Sequence, residues 1–448
     1  MDAACSDLLA EVRAFRQRYP DVRYVDLICL DIPGHFYGKR YPVDMLEKVA
    51  GGAALKLPQN CVLLGVQGGL FDIGDYCFND GDPDAVRRLV PGTLKPVTWE
   101  AQALGQMLIT SDGTAQPIEF EPREVLARVL NRLAAKGIHP VVAFELEFYL
   151  FDKHLRDGLP QYPRDALTGD ADDQPNMHIE RLSRFSPVLD DMVESARAQG
   201  IDATVITAEL GPGQFEINFG HLDDGLQAAD WAALFCRSTR GVALKHGYRA
   251  SFMAKPYLDQ PGSGMHVHVS LYDAAGNNLL AADQQRPLRH AVAGCLELLP
   301  ASISIFAPNQ NAMRRFGGHT NVANRASWGF EDRDACLRIP ESDANNLRIE
   351  YRLAGADANP YLVLAAILVG MEHGLDAGRE PIAPLNEDRT SGIAFPQDMY
   401  EAVRALRPQP QLREGLGAEF VDVYCENKRQ DHLAFMQEVS AREYRWYL

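Results

Sequence analysis

Four strand-like runs alternate strictly, and the face opposite their apolar side chains carries acids, histidines and arginines. Side chains two apart share one face of a strand. In VVAFELEFYL the set Val142, Phe144, Leu146, Phe148 and Leu150 is apolar, and Glu145 and Glu147 lie opposite. In MHVHVSL, Met265, Val267 and Val269 oppose His266, His268 and Ser270. In QFEINFG, Phe215, Ile217 and Phe219 oppose Glu216 and Asn218. In LRIEYRL, Leu347, Ile349, Tyr351 and Leu353 oppose Arg348, Glu350 and Arg352. The turn Gly211-Pro212-Gly213 also brings Glu209 toward Glu216.

One such run is consistent with an antiparallel sheet that has a wet outer face. A wet face, however, usually carries Thr, Lys, Ser and Gln. Four faces of Glu, His and Arg point instead to a sheet that lines an active site. Paired glutamates on one face repel unless cations neutralise them. Carboxylates with an imidazole suit Mg²⁺ or Mn²⁺, whereas zinc favours Cys or several His. A second constellation is rich in arginine: Arg314, Arg315, Arg333, Arg338, Arg348 and Arg352. Arginine presents a rigid donor fork to phosphate or carboxylate. Acids for metals beside arginines for phosphates is what phosphoryl transfer requires. The chain has neither a G-x-x-x-x-G-K-[ST] loop nor the kinase motifs, so it is not a P-loop enzyme or a protein kinase.

The net charge of −17 over 448 residues argues against nucleic acid as a partner, which would need a basic patch. The eight cysteines are scattered with no C-x-x-C pair, so neither a zinc ribbon nor a redox motif is indicated. The opening MDAACSDLLAEVRAF has a helical pattern rather than that of a signal peptide. The most apolar stretch, Leu362 to Met371, is too short to span a bilayer. These features describe a reduced cytoplasmic protein with no membrane partner.

Residues 3–18 form an amphipathic helix pattern stopped by Pro20, followed by two strand-like runs around Pro33-Gly34 and a helix near 42–50. Residues 53–118 read as β-rich. Pro122 suits the first turn of a helix that runs to about Lys136 and stops at Gly137. Further helices are expected near 178–199, 224–246, 286–305 and 358–376, with a mostly helical end from about 395. The change of texture places a domain boundary near 118–122, giving domains 1–119 and 120–448.

The runs FELEFYLF, TAELGPGQFEINF, FMAKP with GSGMHVHVS, NAMRRF, RDACLRIP and LRIEYRLAGADANPYL together resemble the glutamine synthetases, in that family's order. The resemblance implies an α+β fold. A small β-grasp-like N-terminal domain would precede a catalytic domain with a curved antiparallel sheet and flanking helices. It also implies homo-oligomers, as six-membered rings, single or stacked, with sites between subunits. By the same resemblance Glu147, Glu209 and Glu216 hold one metal, and Glu145, His266 and Glu350 hold the other. His268 and Ser270 stand beside ATP. Arg315 and Arg352 hold the carboxylates of L-glutamate, and Arg333 and Arg338 are the catalytic arginines that grip the ATP phosphates and stabilise the transferring phosphoryl group. Gly262 and Gly264 lie in the loop that approaches glutamate. The implied chemistry phosphorylates the γ-carboxylate of glutamate, and a nitrogen nucleophile then displaces phosphate.

Three departures bear on that nucleophile. Ammonia-using members carry a glutamate where this chain has Asn321, and an amide is no base at neutral pH. Pro261 replaces an asparagine of the glutamate loop. The N-terminal Phe-Asp-Gly-Ser-Ser latch has no counterpart, since residues 57–70 read LPQNCVLLGVQGGL. Loss of both ammonium-side carboxylates makes a small organic amine the expected substrate, as in the γ-glutamylpolyamine synthetases. Cys61 to Leu64 offers either an apolar wall for the amine or a buried core strand, and His319 either a replacement base or a solvated loop histidine. The alternatives are an ammonia-using glutamine synthetase and a non-catalytic ring protein. Retention of all six matched ligands disfavours the latter.

Overall fold

The computed structural model describes residues 3–77, 79–112, 118–317 and 322–448. The first part of the chain runs α1 (Ala3–Arg18), β1 (Tyr24–Leu30), β2 (Phe36–Pro42), α2 (Val43–Ala50), β3 (Leu55–Pro58), β4 (Asp84–Leu89), β5 (Lys95–Val97) and β6 (Leu104–Ser111). These six strands form a sheet ordered β2-β1-β6-β4-β3, with β5 also pairing with β6. Only β1 and β6 pair in parallel. Central parallel strands are covered on both faces, which is why YVDLICL and LGQMLITS are nearly continuous apolar runs and β6 is buried throughout.

Next come α3 (Pro122–Ala135), β7 (His139–Asp152), α4 (Glu180–Arg184), α5 (Ser186–Ala198), β8 (Ala203–Ala208), β9 (Gln214–Phe219), α6 (Gly225–Lys245), β10 (Tyr248–Ser251), β11 (Met265–Tyr272) and α7 (Ala282–Phe306). They are followed by α8 (Gln310–Met313), β12 (Arg325–Ala326), β13 (Trp328–Phe330), β14 (Leu337–Ile339), β15 (Ile349–Tyr351), α9 (Pro360–Ala377) and β16 (Ile393–Ala394). The chain ends with α10 (Met399–Leu406), α11 (Pro410–Leu416), α12 (Ala418–Met436) and α13 (Ala441–Tyr447). The second sheet is ordered β13-β14-β15-β11-β7-β9-β8, with β10 also on β7, while β12 and β16 form a separate two-stranded ladder.

The mixed α+β class is as expected, with three local differences. The helix foreseen over 178–199 is two helices that break at Phe185. Pro187 has no N–H to give the carbonyl four residues back, and its ring clashes there. The strand foreseen over 347–353 narrows to Ile349–Tyr351, although Leu347 and Leu353 keep their buried phase. The sheet is also not wholly antiparallel. Glu331, in the left-handed region at φ 52°, and the turn closed by Ala335 N–H on the Asp332 carbonyl return the chain so that β13 and β14 run parallel. The helix expected over 286–305 holds its limits, because Asp283, Gln284 and Gln285 in the first turn of α7 have positive φ and are not helical.

One apolar cluster joins the inner face of the second sheet to α3, α6, α7 and α9 and continues into the first sheet. Leu362 to Met371 is apolar because α9 is buried on nearly every side. It lies against α7 at glycines: a Cβ on Gly294 would stand 2.3 Å from the Gly370 carbonyl oxygen. No helix among the described residues is long and apolar enough to cross a membrane.

Candidate active site

The apolar face of the second sheet fixes the chemistry of the other face. Phe144, Leu146 and Phe148 on β7, Phe215 and Ile217 on β9, and Val267 on β11 are all at most 1% exposed. Their alternation leaves the charged side chains no other side, since a one-residue slip would bury them. The registers then set one row across the sheet. Glu147 on β7 is opposite Glu216 on β9, and Glu145 is opposite His266 on β11. His268 is opposite Glu350 on β15, which in turn is opposite Arg338 on β14. Glu209 joins the row from the turn after β8, where its N–H donates to the Gln214 carbonyl at 2.9 Å.

The row is dense. His266 Nδ1 and His268 Nε2 lie 3.2 and 3.0 Å from the two carboxylate oxygens of Glu145. His266 Nε2 is 3.7 Å from Glu147, and its Nδ1 is 4.0 Å from Glu350. Two triads have donor atoms mutually within 4.8 Å: Glu145, Glu216 and His266, and Glu145, His268 and Glu350. All six expected ligands therefore share one face. The triads cut across the two sets that the resemblance implies, and His268 enters among the ligand atoms.

Charge is compensated unevenly along the row. Burial opposes ionisation of Glu145, but hydrogen bonds from His266 and His268 outweigh it and hold the carboxyl well below the usual range. Glu350 is also held low despite burial, by Arg352, the two histidines and Arg338. At the other end, burial followed by the Glu147 charge pushes Glu209 up to about 7. Burial, followed by Glu147, Glu145 and Glu209, pushes Glu216 up to about 9. Crowded carboxylates beside an imidazole are the donor set of a hard divalent cation, so the residues present fit a metal.

The arginines divide. Arg338 and Arg352 both bond the Glu350 carboxylate, and Arg338 also reaches Glu331 at 2.9 Å. Arg315 is 5% exposed and donates to the Leu353 carbonyl at 2.7 Å. The Nε atoms of Arg315, Arg338 and Arg352 are buried and have no hydrogen-bond partner among the described residues, which suits an anion. Arg333 is exposed, with its charge acting on Glu209. Arg314 turns out to solvent and bonds the Gln310 carbonyl at 3.0 Å. Gly262 and Gly264 are wedged: a Cβ on Gly262 would stand 2.6 Å from the Ala254 carbonyl oxygen, and one on Gly264 would stand 3.1 Å from Arg315 Nη2. The Gly264 N–H donates to Glu147 at 2.8 Å, which ties this loop to the acidic row. A cavity of about 440 Å³ borders Glu145, His268, Ser270 and Arg348. Within it the Ser270 hydroxyl is committed to the Leu347 carbonyl at 3.0 Å, and Arg348 Nε meets His268 Nδ1 at 3.2 Å.

Asn321 and His319 lie outside the described residues. Cys61 to Leu64 is neither strand nor open wall. Gln59–Val62 is a 3₁₀ turn, Val62 and Leu63 are fully buried, and the Leu63 carbonyl accepts from Asn427 at 2.9 Å. Four contributors were not foreseen. Gln214 donates to Glu147 at 3.4 Å and to the Gly262 carbonyl at 3.0 Å. It shares the face of Glu216, two residues on, so alternation could have found it. Tyr149 donates to the Pro261 carbonyl at 2.7 Å. Buried Arg181 donates to the carbonyls of Glu209 and Gly211 at 2.7 and 3.1 Å and pairs with Asp172 at 3.0 Å. Asp172 comes from an irregular segment with no periodic signal, and Arg181, on α4 within the expected helical stretch, gave no sign of the carbonyls it would reach.

The gamma-glutamylputrescine synthetase PuuA of Escherichia coli K12 is 39% identical over 450 residues, covering 98% of this chain and 94% of that protein. The glutamine synthetase of Pyrococcus abyssi is 30% identical over 97% of this chain and 95% of its own length. A glutamate–isopropylamine ligase of a Pseudomonas species is 28% identical over 94% of this chain and 93% of its own length. The solved structure of a GmaS/ADP complex shares the fold with a TM-score of 0.83 at 24% identity, covering 97% of this chain and 99% of that one. Residues 119–447 match the model of the glutamine synthetase catalytic domain, and the chain belongs to the glutamine synthetase family.

Proposed function

We propose that this chain is an ATP-dependent ligase that joins a small organic amine to the γ-carboxylate of L-glutamate through a γ-glutamyl phosphate, in amine or polyamine catabolism. The observation that carries the reading is the uncompensated Glu209–Glu216 end of the acidic row, set beside arginines whose buried Nε atoms have no hydrogen-bond partner among the described residues. Family ligases use ATP and a divalent metal; here the metal is taken as Mg²⁺ or Mn²⁺. Glu145, Glu147, Glu209, Glu216, His266 and Glu350 are the ligands, with His268 close enough to Glu145 to take part. Bound there, the metal supplies Lewis-acid charge for phosphate and carboxylate oxygens. Arg315 and Arg352 hold the glutamate carboxylates, Gly262 and Gly264 let the loop approach them, and Arg333 and Arg338 bind the phosphates. His268 and Ser270 border the nucleotide.

The choice of an organic amine over ammonia rests on Asn321 and on similarity to relatives named for amine ligation. The same reading makes the chain a cytoplasmic homo-oligomer, a six-membered ring or two stacked, with domains 1–119 and 120–448 and sites completed between subunits. Phosphate release with ATP, glutamate and Mg²⁺ across a panel of amines tests it: ammonia outperforming every amine would overturn it. The second reading, an ammonia-using glutamine synthetase, is favoured by the similarity to the Pyrococcus abyssi enzyme. Asn321→Glu separates the two, because it raises ammonia use at the expense of amines only if the position selects the nucleophile.

A further inference from the structure

The segment between β10 and β11 lies on Arg315: a Cβ on Gly262 would stand 3.0 Å from Arg315 Cγ, and one on Gly264 would stand 3.1 Å from its Nη2. The segment is held by its carbonyls. Three successive ones accept from buried side chains: that of Gln260 from Lys255 Nζ, that of Pro261 from the Tyr149 hydroxyl at 2.7 Å, and that of Gly262 from Gln214 Nε2 at 3.0 Å. Lys255, Tyr149 and Gln214 are at most 3% exposed. Two of the three donors come from one rung of the sheet. Tyr149 on β7 is directly opposite Gln214 on β9, two residues along from the Glu147–Glu216 pair and on the same face. Gln214 Oε1 accepts in turn from the Gly211 N–H at 3.1 Å, so its amide is fixed at both ends. A Cβ on Gly211 would stand 2.1 Å from the Tyr149 hydroxyl, and glycine alone lets the turn after Glu209 come so close.

A carbonyl and the N–H of the next residue belong to one planar trans peptide and point opposite ways, and no peptide bond among the described residues is cis. Holding one end therefore aims the other. In the peptide between Gly262 and Ser263 both ends are taken, by Gln214 and by the Ala254 carbonyl, which accepts from the Ser263 N–H at 2.9 Å. The Gly264 and Met265 N–H groups are taken too, by Glu147 and the Ala354 carbonyl. In the peptide between Pro261 and Gly262, Tyr149 takes the carbonyl, and the Gly262 N–H has no hydrogen-bond partner among the described residues. Pro261 itself brings neither an N–H nor a polar side chain to steady the turn. We propose that Tyr149 is a positioning residue for glutamate: it sets the plane of the 261–262 peptide and so aims the Gly262 N–H at a ligand carboxylate beside Arg315. That the ligand is glutamate rests on the reading above; the clamp itself rests on the hydrogen bonds.

Tyr149→Phe deletes one oxygen and keeps the ring. Tyr257→Phe is the matched control, since its ring packs edge-on 6.0 Å from that of Tyr149 and its hydroxyl is buried with no hydrogen-bond partner among the described residues. The test is calorimetric titration of the full-length protein with L-glutamate at saturating Mg²⁺ and ADP, with Mg²⁺ and ADP also titrated separately. Tyr149→Phe should weaken glutamate binding about tenfold, the worth of one net hydrogen bond, with Mg²⁺ and ADP unchanged. Tyr257→Phe should match wild type throughout. Gln214→Met should weaken both glutamate and Mg²⁺, because Gln214 also serves the turn after Glu209 and reaches Glu147 at 3.4 Å. Unaltered glutamate binding in Tyr149→Phe, an equal loss in Tyr257→Phe, or a parallel loss of glutamate, Mg²⁺ and ADP overturns the inference. The two readings fail differently. Wild type that binds no glutamate sinks the glutamate reading and the role of Tyr149 with it. Glutamate binding that Tyr149→Phe leaves intact sinks only the role of Tyr149.

Discussion

The two ends of the acidic row have the same residue type and opposite electrostatics. Around Glu145 and Glu350 the protein supplies its own positive charge, from His266, His268, Arg338 and Arg352, and both carboxyls are held low. Around Glu209 and Glu216 burial, and then the charge of neighbouring carboxylates, pushes both up, to about 7 and about 9. One end is therefore finished by folding, whereas the other is finished only by a cation. The strand registers explain the contrast: Glu145 and Glu350 face histidines across the ladder, while Glu147 faces Glu216.

The harshest way to break the comparison is Glu147→Gln, at the centre of the metal-dependent end. It removes a ligand and the charge nearest Glu209 and Glu216. Activity should fall on the order of a thousandfold, as several kcal/mol of lost transition-state stabilisation implies. Activity within a few-fold of wild type, measured as phosphate release, would remove Glu147 from the site. Arg181→Met is the next largest. Arg181 bonds the carbonyls of Glu209 and Gly211, and its partner Asp172 accepts from the Gly213 N–H at 2.7 Å. Losing such outer support typically costs about ten- to a hundredfold in metal affinity. Metal titration should show this with Glu145 and His266 unchanged. If affinity is unaltered, the brace is structural only.

The contrast also fixes a pH dependence. A metal must displace the protons that Glu209 and Glu216 retain near neutrality. Apparent metal affinity should rise from pH 6 to about 9, with proton uptake by buffer accompanying binding. An affinity flat across that window, by calorimetry in two buffers of different ionisation enthalpy, would show that both acids are already ionised.

How much of this was readable before folding follows the same divide. Alternation on β7, β9 and β11 placed Glu145, Glu147, Glu216 and His266 on the face opposite the buried apolar set, because a period of two leaves one choice once that set is known. The cross-strand partners were not readable. Which glutamate meets a histidine depends on register, and register is set by pairings between strands more than a hundred residues apart, such as Glu145 with His266. The triads therefore differ from the ligand sets implied by the resemblance. Asp172 left no trace, since an irregular loop has no period, and the helical pattern over 178–199 contained Arg181 without showing which carbonyls it would reach. Within Cys61 to Leu64 the run from Val62 onward is buried, as its core reading expects, though around a 3₁₀ turn rather than in a strand; an apolar run states that it is buried, not against what, and its partner is α12, from the far end of the chain.

The smallest effect is the most discriminating. The ordinary value for Glu216 is 4.5, and in the fold it is about 9. The folded state thus holds a proton that the unfolded chain releases. Its contribution to stability is fully present below pH 4.5 and is lost as pH rises toward 9. Glu145 runs the other way: its lowered value contributes stability above the ordinary range and loses it in acid. Glu216→Gln removes the ionisable group but keeps its shape. Without metal, the variant and wild type should match in urea unfolding at pH 5. At pH 9 the variant should be the more stable by about 1–2 kcal/mol, well under the full linkage value because the site is partly solvated. With saturating Mg²⁺ the order should reverse, since the wild type regains through the cation what it lost to repulsion. A variant that is less stable than wild type at pH 9 without metal would mean that Glu216 already has a partner in the protein, and the two ends of the row would no longer differ.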